Sequence, residues 1–349
     1  MYKHKVLIIQ NLIHEYRKPL YNKLSDFYDI TILHSGKKST RESDKYTEVV
    51  TNKCVFKTII LQGDVLSEAT FGNYDVIIAM FDLHWIKNTL LVMLPINKPI
   101  IFWGHRYSKS KQTNKVKNFF LKKCNAILLY NDFEISSLVD NGIRREKIFI
   151  AENTIHVENH EDLCGETKSS FLYVGRAQKR KKVDELLFAF FRIINQIPED
   201  ITVDIVGDGE ENKYLESLAK TLNIHHRVYF HGAITDPDTL KLFFKKAIAY
   251  VSPDAIGLGA QHSFAYGVPV ITTSVGFKGA EYNNLQHNIN CLLFEKPNDL
   301  DILLIELINS PELLQRLGFN AYQKYKSQLT IDCMVNGFQE AIDYSLIER

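Results

Sequence analysis

Short apolar runs alternate with helix-like segments along nearly the whole chain, and this pattern limits the fold more than any other feature. In the first half the runs are almost free of polar residues, and they lie at 6–9, 30–33, 58–61, 76–78, 100–103 and 126–129. Continuous apolar strands are typical of parallel sheets that are buried on both faces by helices. The alternation therefore predicts an α/β fold with parallel sheets.

A polar, acidic stretch without an apolar period, residues 152–170, divides the chain. After it the alternation restarts, with strands expected at 171–174, 202–206, 228–230, 247–251 and 270–272 and helices at 184–197, 212–222, 238–246, 261–266 and 299–317. A last amphipathic helix is expected at 331–348. We predict two Rossmann-like, doubly wound domains at 1–160 and 168–325, and a terminal helix within 326–349 that packs back on the body.

The composition agrees with ordinary globular domains. With 349 residues, 45% hydrophobic and 24% charged, the chain is about two domains long, and disordered and collagen-like classes are excluded. Five scattered cysteines favour neither a disulfide framework nor a zinc site, and they fit a reducing compartment. The first apolar run is too short for a signal peptide, and no stretch approaches the ~18 to 20 apolar residues of a membrane span. We expect a soluble or peripheral protein of the cytoplasm.

The net charge of +1 results from an uneven distribution. Residues 1–124 contain 20 Lys and Arg against 10 Asp and Glu, whereas 125–349 contain 22 against 31. The densest basic stretch, 106–123, has seven cations, no acid and the run Phe119-Phe120-Leu121. A solvated face is the default explanation, and peripheral contact with an anionic membrane is the functional alternative. No motif for nucleic acid is present, so we expect no such partner.

Ligands of parallel α/β sheets bind beyond the carboxyl ends of the strands, here in the cleft expected between the two domains. In the second domain Gly175 follows the first strand, and five of the seven residues from Arg176 to Lys182 are cationic. A basic loop before a helix N-terminus suits a diphosphate, although a solvated turn is an equal alternative. Gly207 and Gly209 follow the next strand without the third glycine of a dinucleotide fingerprint, which favours a plain turn over contact with a base.

The segment after the strand at 247–251 combines a carboxylate, two glycines and an imidazole. Asp254 follows the strand, and Gly257, Leu258 and Gly259 precede a short helix that contains His262. The glycines permit close approach of backbone to a phosphate, and the two polar side chains suit sugar hydroxyls. The structural alternatives are a turn role for Asp254 and a core position for His262.

Together these pieces resemble glycosyltransferases of the GT-B fold, and in particular the large retaining family four. The resemblance covers the second domain and, more loosely, the first, and it rests on Gly175-Arg176 with Lys181 five residues later, Val206-Gly207-Asp208-Gly209, Phe230-His231-Gly232 and Gly267-Val268-Pro269-Val270-Ile271. In that family the Arg and Lys of the first motif bind the donor diphosphate. The resemblance therefore implies this role for Arg176 and Lys181.

The family also has two glutamates separated by seven residues, the first in contact with the donor sugar and the second with the ribose. These positions fall on Asp254 and His262, so the first keeps a carboxylate on a shorter arm and the second has an imidazole instead. Family members often present a histidine of the first domain to the donor sugar, and His105 is the candidate here. The resemblance thus implies His105, Arg176, Lys181 and Asp254 as catalytic residues.

The implied activity is transfer of a sugar from a UDP-, GDP- or dTDP-sugar to a hydroxyl of a glycan or lipid-linked acceptor, with retention and without an obligatory metal or cofactor. The first domain would bind the acceptor and the second the donor, at the inner face of the cell membrane. Two alternatives remain open. One is a sugar-nucleotide epimerase of the same architecture, and the other is a non-catalytic protein that binds a nucleotide sugar.

Overall fold

The computed structural model describes residues 2–104, 107–163, 165, 167–276 and 279–348. It divides into two compact units: unit 1 comprises Met1–His156 with Ile331–Arg349, and unit 2 comprises Val157–Thr330. The chain leaves unit 1 once and returns to it for the terminal helix, which begins at Ile331. Residues 326–330, predicted with that helix, belong to unit 2.

Unit 1 is built around a parallel sheet. Its strands are β1 Lys5–Ile9, β2 Asp29–His34, β3 Thr47–Val50, β4 Lys53–Phe56, β5 Ile59–Gln62, β6 Val76–Met80, β7 Ile100–Trp103, β8 Ala126–Leu129 and β9 Ile148–Ile150. Seven of them form one sheet in the order β3-β2-β1-β6-β7-β8-β9, with every neighbouring pair parallel. The strands β4 and β5 form a separate antiparallel hairpin.

Helices cover both faces of this sheet. They are α1 Lys18–Phe27, α2 Val65–Phe71, α3 Ile86–Leu90, α4 Lys111–Lys123, α5 Ile135–Asp140 and the terminal helix α12 Ile331–Ile347, with 3₁₀ turns at Glu15–Arg17, Leu91–Met93 and Arg145–Lys147. The helices α1 and α12 share a core with one face. The helices α2, α4 and α5 and the 3₁₀ turn after α3 share a core with the other.

Unit 2 repeats the plan with six parallel strands in the order β12-β11-β10-β13-β14-β15. Its elements are β10 Ser170–Val174, α6 Val183–Ile193, β11 Thr202–Val206, α7 Asn212–Thr221, β12 Val228–Phe230, α8 Pro237–Lys246, β13 Ala247–Ser252, α9 Gly259–Ala265, β14 Val270–Thr273, β15 Cys291–Phe294, α10 Asp299–Asn309 and α11 Pro311–Lys324, with 3₁₀ turns at Lys179–Lys181 and Ala280–Asn284. Two parallel-sheet α/β units of Rossmann-like plan confirm the predicted fold class.

Two details of the predicted elements are wrong. The run 58–61 is not a strand of the parallel sheet, because β5 pairs antiparallel with β4 and leaves Val55 and Phe56 58% and 66% exposed. The helix expected at 299–317 is two helices, since Pro311 lacks the N–H that a continuous helix would need there and instead begins α11. Phe120 and Leu121 of the basic stretch pack into the core of unit 1, so only Val116 and Phe119 of α4 are exposed apolar residues.

A buried carboxylate orders the loop after β2. The Glu48 side chain is 1% exposed and accepts hydrogen bonds from the backbone N–H groups of Ser39 (2.9 Å) and Thr40 (2.7 Å) and from His34 Nε2 (2.7 Å). His34 Nδ1 accepts from the Gly36 N–H at 3.0 Å, so the proton lies on Nε2. Burial alone would raise the pKa of Glu48, but the hydrogen bonds from Thr40, Ser39 and His34 outweigh it and lower the pKa.

We expect Glu48→Gln to lower the free energy of unfolding at pH 7 by about 2 kcal/mol, because the charged acceptor of several buried donors is lost. A carboxyl whose pKa is lower in the folded state contributes stability above its unfolded pKa and loses it as the pH falls through the folded pKa. The difference in the free energy of unfolding between variant and wild type should therefore decrease below about pH 4. Urea unfolding across this range tests the prediction, with the exposed Glu42→Gln as control. Equal stability at pH 7 would contradict it.

Candidate functional site

The loops that follow β10, β11 and β12 lie side by side in unit 2. The Gly175 N–H donates to the Val206 carbonyl at 2.9 Å, and the Gly207 N–H donates to the Gly232 carbonyl at 2.7 Å. Gly207 has φ +142, and a Cβ at this residue would lie 1.9 Å from the Gly175 carbonyl oxygen. Gly207 is thus required for the two loops to contact each other, whatever further role it has.

A pocket of about 610 Å³ opens between these loops. Its lining includes three glycines and comprises Val174, Gly175, Arg176, Val206, Gly207, Asp208, Gly209, Glu210, Ala233 and Ile234. Arg176 is exposed at this pocket. The structure therefore brings together Gly175, Arg176 and Gly207, three of the residues predicted from sequence.

Lys181 ends the 3₁₀ turn before α6, and its side chain extends to the loop between β13 and α9. Its ammonium donates a hydrogen bond to the carbonyl of Ala255, and a Cβ at Gly257 would lie 3.9 Å from the same nitrogen. Burial and the neighbouring Arg180 lower the pKa of Lys181 to about 8, against the opposing effect of Glu281 and Asp254. The Lys181 ammonium is thus only partly desolvated, beside two carboxylates and a glycine backbone.

Asp254 follows β13 and is held by contacts within the same loop region. Its Oδ1 accepts from the Ala255 N–H at 2.6 Å, and Oδ2 lies 3.4 Å from Lys182 Nζ. Ala255 has φ +39, a backbone conformation that residues other than glycine rarely adopt. The carboxylate therefore makes the turn contact of the structural alternative, and it also pairs with Lys182, a cation that sequence reasoning did not single out.

Two buried tyrosines join the start of α9 to the Arg176 loop. The Tyr173 hydroxyl donates to the Arg176 carbonyl at 2.9 Å, and the Tyr250 hydroxyl donates to the Val174 carbonyl at 3.3 Å. The two rings are stacked, with centroids 6.4 Å apart. A Cβ at Gly259 would lie 2.3 Å from the Tyr250 hydroxyl, so the helix approaches the tyrosine this closely only with glycine. Sequence reasoning missed these tyrosines because each belongs to an otherwise apolar strand.

His262 lies on α9 in a partly buried aromatic cluster. Its ring centroid is 4.7 Å from that of Phe244 and 5.7 Å from that of Tyr266. Burial lowers the pKa of His262 to about 4, so the imidazole is neutral at pH 7. A neutral imidazole has one donor and one acceptor nitrogen, which is the complement of a hydroxyl group.

The remaining predictions concern Leu258, His105, metal binding and membrane-spanning helices. Leu258 caps α9 and accepts the His262 N–H at 3.0 Å. His105 lies outside the described residues. In the part of the chain that is described, no three His, Cys, Asp or Glu side chains are grouped to bind a metal. Among the described helices, none combines the length and apolar character needed to cross a membrane.

Comparison with known proteins places the described cluster in a family domain. Residues 158–324, just under half of the chain, match the family "Glycosyl transferases group 1". An uncharacterized glycosyltransferase of Methanocaldococcus jannaschii, MJ1178, is 31% identical over 192 residues, which are 53% of this chain and 50% of that protein. The chain spans between about a quarter and two thirds of the length of the curated relatives it matches first.

Solved structures share the architecture of both units. A glycosyltransferase from Rickettsia africae has a TM-score of 0.78 at 15% identity, covering 99% of this chain and all of that one. Anabaena Alr3699/HepE in complex with UDP has a TM-score of 0.72 at 14% identity, covering 98% of this chain and all of that one. Identities this low establish the fold alone. Residues 158–324 thus match the glycosyl transferases group 1 family, and the chain shares the GT-B fold of solved glycosyltransferases.

Proposed function

We propose that the chain transfers a sugar from a nucleotide-sugar donor to a hydroxyl of a glycan or lipid-linked acceptor, with retention of configuration as in family four. One observation supports this most: Lys181 places a partly desolvated ammonium beside Gly257 and Asp254, in the loop region that follows β13. Arg176, five residues earlier in the chain, lines a pocket of the same unit. Cations at such a position stabilise the charge that develops on a departing diphosphate. Arg176 and Lys181 would therefore bind the diphosphate and assist its departure.

The remaining polar groups of unit 2 suit the other parts of a nucleotide sugar. The pocket of about 610 Å³ beside Gly207, with three glycines in its lining, has a size that would accept a nucleobase. The neutral His262 would exchange hydrogen bonds with a ribose hydroxyl, and Asp254, paired with Lys182, would accept one from a hydroxyl of the sugar. Because HepE was solved with UDP, UDP-sugars are the first donors to test, before GDP- and dTDP-sugars.

Unit 1 would bind the acceptor at the inner face of the cell membrane. In the described part of the stretch 106–123, α4 contains five lysines and no acid, and its exposed side includes Val116 and Phe119. Such a surface has the charge expected of a protein that contacts anionic lipid headgroups. His105, which precedes this stretch, would contribute to the reaction at the donor sugar.

A panel of nucleotide sugars tests the proposal. We expect one class of donor to raise the melting temperature, because a ligand that binds only the folded state stabilises it by mass action. Incubation of that donor without acceptor separates the alternatives, since epimerisation of the free donor would identify an epimerase. Unchanged donor affinity in both Arg176→Ala and Lys181→Ala would instead indicate that the proposed site is not the donor site.

Donor binding should weaken as the pH rises through about 8, which is the pKa of Lys181 in the protein without donor. The protonated form binds the diphosphate, and the bound diphosphate in turn raises the pKa of Lys181. Between these two pKa values the dissociation constant for UDP should increase by up to about tenfold per pH unit. Calorimetric titration from pH 6 to 10 measures this slope. A slope that persists in Lys181→Met would assign the titration to another group.

A further inference from the structure

One outer face of unit 1 is apolar and cationic. We define the hairpin face as the β4–β5 hairpin, α2, α3 with the segment 91–94 that follows it, and α4. The helices α2 and α4 and the turn Leu91–Met93 pack on one side of the unit 1 sheet, and α3 joins them to the hairpin. Its large exposed apolar residues are Val55, Phe56, Ile59, Leu61, Phe71, Leu90, Met93, Leu94, Val116 and Phe119. On the opposite face, the described helices α1 and α12 expose only Phe27 and Ile347 of this class.

The elements of the hairpin face adjoin one another. The Ile60 N–H donates to the His84 carbonyl at 2.7 Å, which joins β5 to the segment that leads into α3. The helix α3 also packs against α2 and β5, and the turn that follows it packs against α4. The elements that carry the exposed apolar residues therefore adjoin one another on unit 1, and exposed apolar surface concentrated in one region marks interaction sites.

The charges of this face are predominantly positive. The segment 49–63, which includes the hairpin, has Lys53 and Lys57 and no acid, and α4 adds five lysines. At both ends of the face a lysine lies over an aromatic ring: Lys57 Nζ is 6.0 Å from the Phe56 ring centroid, and Lys123 Nζ is 5.2 Å from that of Phe119. Rings that enter the headgroup layer beside ammonium groups are typical of peripheral membrane surfaces.

The hairpin is the most exposed element of this face. All four residues of β4 are exposed, and Phe56 and Ile59 flank the tip, where Lys57 has φ +53. A two-stranded sheet of this length is at best marginally stable by itself, and its apolar side chains gain little from their own contacts. A surface that covers Phe56 and Ile59 would stabilise the hairpin as well as bury apolar area.

We propose that the hairpin face docks on an anionic lipid bilayer, with Phe56 and Ile59 at the hairpin tip entering the headgroup layer and the α4 lysines contacting anionic headgroups. The charge complementarity of this face selects a lipid surface over a second copy of the chain, because two copies would bring like charges together. The inference deepens the proposed membrane contact of unit 1, and it does not depend on the donor site in unit 2.

Co-sedimentation of the full chain with vesicles tests this docking. Vesicles that contain phosphatidylglycerol should bind the protein, and vesicles of phosphatidylcholine alone should bind it much less. The double variant Phe56→Ser/Ile59→Ser should reduce partition to the anionic vesicles by about tenfold. Lys115→Gln/Lys122→Gln should reduce it by about thirtyfold at low salt, with a smaller effect at high salt. Phe27→Ser, on the opposite face, is the matched control and should bind like wild type.

Three results would overturn the docking proposal: no preference for anionic vesicles, equal binding by the hairpin variant and the control, or a dimer in solution that Phe56→Ser dissociates. The last would identify a second copy of the chain as the occupant, and sedimentation velocity without vesicles detects it. Each variant should keep the thermal stabilisation by a donor that wild type shows. If the wild-type protein binds vesicles but no donor, the proposed function is refuted and the docking proposal is not.

Discussion

Lys181→Met should lower the rate of sugar transfer by about 10²- to 10³-fold, because it removes a preorganised cation from the position proposed for the leaving diphosphate. Donor binding should weaken as well. The methionine keeps most of the apolar part of the side chain, so the decrease in rate reports the loss of the ammonium charge and not a loss of packing. Steady-state kinetics with the donor found in the panel measures the rate. Lys179→Met removes an exposed cation from the same 3₁₀ turn and is the matched control.

The same substitution should stabilise the protein without ligand. The pKa of Lys181 is about 8 in the folded state against 10.5 in the unfolded one, so burial disfavours the charged form below pH 8. Removing that charge should raise the free energy of unfolding at pH 7 by about 1 to 2 kcal/mol, after allowance for partial solvent exposure. The gain should shrink as the pH rises from 8 to 10.5. A destabilised and fully active variant would show that Lys181 is a structural residue.

Gly207→Ala should have the largest effect on stability. A Cβ at this residue would lie 1.9 Å from the Gly175 carbonyl oxygen, and the backbone N–H groups of both residues are held by hydrogen bonds to neighbouring segments. The loops after β10 and β11 would have to separate, at a cost of about 3 kcal/mol or more. Because Arg176 follows Gly175 directly, donor binding should be lost at the same time. Denaturant unfolding and a donor titration measure the two effects.

Gly232→Ala is the matched control for this change. Gly232 also has a left-handed backbone, with φ +65, but no atom lies within 4 Å of the position its Cβ would take. Only the conformational cost of about 1 to 2 kcal/mol should appear, and donor binding should persist. If the two alanine variants lose equal stability and equal donor affinity, close contact between the loops is not what Gly207 provides.

Periodicity was sufficient to predict the parallel sheets but not the environment of every apolar run. The strand at 202–206 was predicted correctly although it contains Asp204, whose carboxylate is fully buried between His231 Nε2 (2.7 Å) and Lys246 Nζ (2.8 Å). These partners are 27 and 42 residues away in sequence, so no local pattern could indicate them. The prediction of a buried parallel strand at 58–61 was wrong, because apolar composition alone does not distinguish a buried strand from an exposed hairpin.

The candidate site shows the same division between local pattern and distant partner. The resemblance to family four singled out Arg176 and Lys181, and the glycines at 257 and 259 indicated close backbone approach. For Gly207 a plain turn was favoured over contact with a base. Which cation contacts which oxygen depends on loops that are far apart in the chain. Lys181 donates a hydrogen bond to the Ala255 carbonyl, whereas Lys182 pairs with the Asp254 carboxylate. The neutral state of His262 likewise follows from the rings of Phe244 and Tyr266, which only the fold brings beside it.

Direct titration of the purified chain with UDP-, GDP-, dTDP- and CMP-sugars tests the central claim, that unit 2 binds a nucleotide-sugar diphosphate through Arg176 and Lys181. Saturable binding of one donor class is expected, at least tenfold weaker in Arg176→Ala and in Lys181→Met and unchanged in Lys179→Met. Binding of no nucleotide sugar, or equal binding by wild type and both site variants, would contradict it.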